Sequence, residues 1–144
     1  ITHRDPVAVI QSAITMLAYG ARLRRTRVDL ASIAEYWIDR IERLLRACVR
    51  DRDALPAEQS VDVLFHEFMA DDVAMVRQVY ALANQPFGPA VEAAMERFMI
   101  EHPRGKHGRV IYDLADFELV RAERRRALGF YVERDAEALE EKDG

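Results

Sequence analysis

An arginine, an aspartate and a proline stand in a row at Arg4-Asp5-Pro6, and Ser12 follows eight residues after the arginine. These residue types at this spacing suit the binding of an anion. Asp5 is a good helix N-cap, and Pro6 fits the first helical position, where its missing N–H costs nothing. Beyond them Val9, Ile10, Ala13, Ile14 and Leu17 recur at helical spacing, so one face is apolar and must pack. The residues before Arg4 read as the end of a strand. A strand that runs into a capped helix points free backbone N–H groups and the positive end of the helix dipole at the junction, and Arg4 adds a full charge there. A plainer reading stands beside this one: Arg4 as a surface residue bridging to a carboxylate, Ser12 as an ordinary small helix residue.

Two further groups carry charge. "EHPRGKHGR", from Glu101 to Arg109, is a basic, glycine-containing loop with Arg104, Gly105 and Lys106 at its centre. Arg22, Arg24, Arg25 and Arg27 crowd the connection "GARLRRTRVD"; they read as a solvated loop, or else as a site for an acidic substrate or a lipid headgroup. A metal is not expected. His66-Glu67 has no second histidine at the spacing of a zinc-protease helix, and His102 and His107 lack the cysteine or carboxylate cluster that would complete a ligand set. They read as phosphate-adjacent or solvent-facing.

The elements that position these residues are mostly helical. Asp29 is expected to cap a long amphipathic helix marked by Leu30, Ile33, Ala34, Trp37, Ile38, Ile41, Leu44, Leu45, Cys48 and Val49. Tyr36, Trp37 and the methionines are expected in the core, with Cys48 as a buried structural thiol. A polar connection, Arg50 to Ser60, leads to a short strand over Val61–Phe65, and "HEFMADD" leads on to a helix over Asp72–Ala83. Pro86, Gly88 and Pro89 punctuate before a helix carrying Val91, Ala94, Met95, Phe98 and Met99. A last helix, with Leu128 and Tyr131, ends in the acidic tail Asp135–Gly144, expected to be solvated and frayed. Two strands, each followed by a helix, imply an α/β fold with a parallel sheet whose other members lie upstream. In such sheets ligands bind beyond the carboxyl ends of the strands, where Arg4 lies.

Composition narrows the classes. The chain has 144 residues, of which 50% are hydrophobic, enough for one domain with a real core. No apolar run approaches the ~20 residues that span a bilayer, and no basic-then-apolar leader is present, so no transmembrane segment and a cytoplasmic location are expected. One cysteine excludes a disulfide framework, and a net charge of −4 argues against a general nucleic-acid binder.

The order of these motifs resembles the sulfotransferases that use 3′-phosphoadenosine 5′-phosphosulfate (PAPS), in particular their bacterial members. "THRDPVAVIQS" is similar to the family's 3′-phosphate-binding segment, a strand ending in Arg-Asp-Pro with a serine eight residues after the arginine. "VDVLFHEFMADD" resembles the segment after the next strand, with Phe65, His66, Glu67 and Phe68 where Tyr-Glu-Asp-Leu is usual and Asp72 in place of a proline. "HPRGKHGRVIYDLADFEL" resembles the late phosphate loop: Gly105, Gly108, Tyr112, Phe117 and Leu119 fit its pattern, and Glu118 stands where that pattern has glycine. "ALGFYVERD" resembles the closing helix. The resemblance implies a P-loop-NTPase-like sulfotransferase fold, of which residues 1–144 form the C-terminal part of a single domain.

It further implies PAPS as co-substrate, no metal, and transfer of a sulfuryl group to a hydroxyl or amine on a small-molecule or glycolipid acceptor. Arg4 and Ser12 would hold the 3′-phosphate, a dianion that an arginine fork matches and a hydroxyl supplements. Arg104, Gly105 and Lys106 would close over it, the glycines permitting close backbone approach. The family's phosphosulfate loop and catalytic base lie upstream of Arg-Asp-Pro, so no residue here is assigned as catalytic, and the segment alone is expected to be inactive. Two other classes stay open: a P-loop nucleotide kinase-like phosphotransferase, and a noncatalytic helical interaction module docking through Arg22 to Arg27.

Overall fold

The structure, a computed structural model, describes residues 1–103, 105–106, 108 and 114–139, with side chains as far as Arg134. The chain divides into two compact units, one made of residues 1–4 and 55–110, the other of residues 5–54 and 111–144.

In the first unit, β1 (Thr2–His3) pairs in parallel with β2 (Val63–Leu64), Thr2 opposite Val63 and His3 opposite Leu64. Buried His3 sets its Nε2 2.8 Å from Asp62 Oδ1, which ties the two strand segments together by side chains as well as backbone. The strand expected over Val61–Phe65 is shorter. Phe65 already opens α3 (Phe65–Ala70), because Phe65, Phe68 and Met69 follow helical rather than alternating spacing.

Asp71 then ends α3 and caps α4 (Asp72–Leu82), accepting the Ala74 N–H at 2.8 Å. Asn84, at φ 51°, turns the chain out of α4 while the Gln85 N–H reaches the Tyr80 carbonyl at 2.9 Å, a left-handed helix stop. Gly88 and Pro89 start α5 (Pro89–Glu101). The polar connection before β2 contains two short 3₁₀ turns, Arg52–Ala54 and Ala57–Gln59.

The second unit is a packed pair of helices with later segments against it. In α1 (Pro6–Arg22) the Asp5 side chain accepts the Val7 N–H at 2.9 Å and Pro6 takes the first turn, as the sequence predicts. In α2 (Leu30–Asp51) Asp29 accepts both the Ser32 N–H and the Ser32 hydroxyl, at 3.0 and 2.7 Å. Those bonds hold the Asp29 carboxyl below the ordinary aspartate value. Val7, Ile10 and Ile14 are wholly buried with Ala18, Ala34 and Ile38, and Leu114, Phe117 and Leu128 close the cluster. Each such branched side chain contributes about 1.5–3 kcal/mol by leaving water.

The apolar stripe of α2 is wider than the surface available to cover it. Tyr36 and Leu44 are therefore exposed and Cys48 is half-buried, not core. Of the methionines only Met75 is buried, and Met16 and Met69 face solvent. The single closing helix is two, α6 (Arg121–Ala127) and α7 (Gly129–Leu139), broken at Leu128 just before a glycine. The first residues of the acidic tail continue α7, and residues 140–144 lie outside the described residues.

Candidate functional site

Arg4 directly follows β1, at the carboxyl end of the parallel pair, and is exposed. Its guanidinium lies over the Phe65 ring, 4.4 Å from the centroid. The register explains this contact. Thr2 opposite Val63 and His3 opposite Leu64 bring Arg4 level with Phe65, the first residue beyond β2. A guanidinium on a ring face is held by the ring's quadrupole while its N–H fork stays available to an anion. In the sequence Phe65 stands at a strand end and at the first position of the resembled Tyr-Glu-Asp-Leu segment; the parallel register is the signal that identifies it as the partner of Arg4.

Ser12 lies on α1 in the helical unit, half-buried. Close to the start of the same helix stands a cation that sequence reasoning missed. Arg121, from the first turn of α6, reaches Asp5 Oδ2 at 3.5 Å and Gln11 Oε1 at 3.4 Å, both long contacts from an exposed side chain. No local pattern announces it, because packing of α6 on α1 joins residues more than a hundred positions apart.

Gly105 and Lys106 lie in a turn beyond α5, and Arg104 lies outside the described residues, as do His107 and Tyr112. Gly105 and Gly108 have φ of 78° and 90°, a left-handed conformation that favours glycine, and a Cβ on either would meet nothing within 4 Å. The glycines are thus required by conformation, not by crowding. The Lys106 and Gly108 N–H groups bond back to the carbonyls of Pro103 and Gly105, at 3.1 and 2.9 Å, and the Lys106 ammonium donates to the Glu101 carbonyl at 3.2 Å. His102 stacks on Phe98, ring centroids 4.2 Å apart. Among the described residues no group of three histidine, cysteine or carboxylate side chains could hold a metal ion.

Glu118, where the sequence departs from the resembled motif, has φ 57° and ψ 32°. The chain keeps the left-handed turn that glycine would supply there and carries a glutamate in it.

Comparison with known proteins places the chain in a family. The model of the sulfotransferase family matches residues 1–89, which include both strands, α1 and the Arg4 segment, and the chain belongs to that family. The crystal structure of sulfotransferase STF9 from Mycobacterium avium shares the fold, with a TM-score of 0.76 at 20% identity over 92% of this chain. The chain spans 34% of that protein's length. The architecture is accordingly the α/β sulfotransferase fold, helix-rich with a parallel strand pair. No curated protein matches the sequence.

Proposed function

We propose that this chain supplies the 3′-phosphate-binding part of a sulfotransferase that moves a sulfuryl group from PAPS to a hydroxyl or amine of a small-molecule or glycolipid acceptor. The observation that carries the reading is Arg4: a cation at the carboxyl end of a parallel strand, laid on Phe65 with its fork exposed and followed by an Asp5-capped helix. A phosphate dianion presents paired oxygens to such a fork. Ser12 adds one neutral donor, and Arg104, Gly105 and Lys106 are assigned to the closing loop. The chain's own work is therefore to bind and orient the nucleotide. Residues 1–144 are taken as the C-terminal part of one domain, and no catalytic base is assigned among them.

Calorimetry with two nucleotides tests this. Arg4→Ala should weaken adenosine 3′,5′-bisphosphate by about 10- to 150-fold, the equivalent of about 1.5–3 kcal/mol for a charge-assisted hydrogen bond, and leave adenosine 5′-phosphate nearly unchanged. Ser12→Ala should act in the same direction with a loss of about 0.5–1.5 kcal/mol. Equal weakening of both nucleotides, or of neither, would reduce the segment to a capped helix start.

A further inference from the structure

Between Pro6 and Val28 the sequence contains no acidic residue and no lysine, yet it holds Arg22, Arg24, Arg25 and Arg27, a local charge of +4 in a chain whose net charge is −4. All four are exposed at the tip where α1 turns towards α2. Some arginines of the same unit have carboxylate partners: Arg43 on Asp39, Arg46 on Glu42, Arg134 on Asp53. At the tip none of the four has an ion pair or hydrogen bond among the described residues. Arg22 sits in the last turn of α1 and complements the helix dipole; the other three lie beyond the helix.

Beside them the outer face of α1 is apolar and uncovered. Met16, Tyr19 and Leu23 follow one another at helical spacing, with 66%, 64% and 70% of their surface exposed. Leu23 continues the stripe past the last helical residue, because its N–H still bonds the Tyr19 carbonyl at 3.2 Å. An aliphatic, a thioether and an amphipathic aromatic side chain, with unpaired arginines at the end of their stripe, match the two layers of a bilayer surface, acyl boundary below and anionic headgroups above. Phosphate contacts to a nucleic acid would use the arginines and leave Met16 and Leu23 without a role. No described helix is long and apolar enough to cross a membrane, so the contact this tip can make is a surface one.

We infer that the α1–α2 tip docks this protein on anionic lipid surfaces, with Met16, Tyr19 and Leu23 inserted and Arg22, Arg24, Arg25 and Arg27 on the headgroups. The inference stands apart from the nucleotide reading and uses none of its residues.

Sedimentation of the full chain with vesicles tests it. Phosphatidylcholine vesicles containing phosphatidylserine should bind the protein, pure phosphatidylcholine should bind it weakly, and raised salt should release it. Each arginine replaced by glutamine should cost about fivefold in partitioning, so the fourfold variant should lose at least about a hundredfold. Met16→Ser with Leu23→Ser should lose at least about thirtyfold at unchanged charge. Circular dichroism checks that the helices persist, and Arg24→Gln with Arg25→Gln, both beyond the helix, repeats the charge test without touching α1. Absence of binding to the anionic vesicles would overturn the inference, as would equal binding to neutral ones or full retention by the arginine variants. So would tighter binding of a duplex oligonucleotide that is indifferent to Met16 and Leu23.

Discussion

In the unit built on α1 and α2, Val7, Ile10 and Ile14 lose all contact with water, whereas in the unit that carries the strands Val79, Phe98 and Ile100 remain 42%, 58% and 79% exposed. The helices are not less apolar there. Val76, Tyr80, Val91, Met95, Phe98 and Met99 of α4 and α5 instead line an open groove of about 790 Å³. The difference lies in the number of surfaces that converge. Two helices bury one stripe each, but a dry core forms only where a third element covers the pair, as Leu114, Phe117 and Leu128 do over α1 and α2. Apolar composition alone therefore does not decide which side chains become core.

The comparison can be broken by substitution. Ile10→Ala removes a side chain with no exposure and should cost about 2–5 kcal/mol, read as a lower urea midpoint. Met95→Ala, in the open groove, should cost about 1 kcal/mol or less, since water already reaches its site. Equal losses at the two positions would mean that the groove is as well packed as the core. Glu118→Gly should stabilise the helical unit by about 0.5–1 kcal/mol, because the left-handed strain of a side chain at φ 57° outweighs the entropy that glycine adds to the unfolded chain. A lower melting temperature for that variant would show that the glutamate side chain contributes something the turn needs.

The smallest effect concerns acid. The Asp29 carboxyl is depressed first by the Ser32 backbone N–H and next by the Ser32 hydroxyl, so its contribution to α2 is present above the unfolded value near 3.8 and is lost as pH falls through the lower folded value. Solvent exposure keeps it slight. Asp29→Asn retains a cap and should remove that part of the acid sensitivity, measured as helix content against pH. An unchanged acid profile would place the sensitivity elsewhere.

Much of this arrangement is legible in the sequence where the deciding contacts are local. Asp5 with Pro6, and Asp29 with Ser32, fix where α1 and α2 begin through bonds spanning two or three residues. The parallel strand pair follows from two short strand segments each feeding a helix. Less legible is whatever depends on distant cover. The exposure of Tyr36 and Leu44 reflects how little surface faces the flanks of α2, which no periodicity encodes. The placement of Arg121 near the start of α1 rests on a pairing of α6 with α1 that only the fold supplies. The candidate site divides in the same way: Arg4 and Ser12 were legible as a spacing, Phe65 as a motif position whose contact with Arg4 only the strand register supplies, and Arg104 lies outside the described residues.

The stacking of Arg4 on Phe65 also has a thermal meaning. A free arginine samples many rotamers, and an anion that captures it must freeze them, at about 2 kcal/mol for the whole side chain. Laid on the ring, the guanidinium has surrendered part of that freedom during folding. Capture of an anion by Arg4 should then be less opposed by entropy than capture by a free arginine, and Phe65→Leu should make the binding entropy less favourable while leaving the number of charged contacts the same.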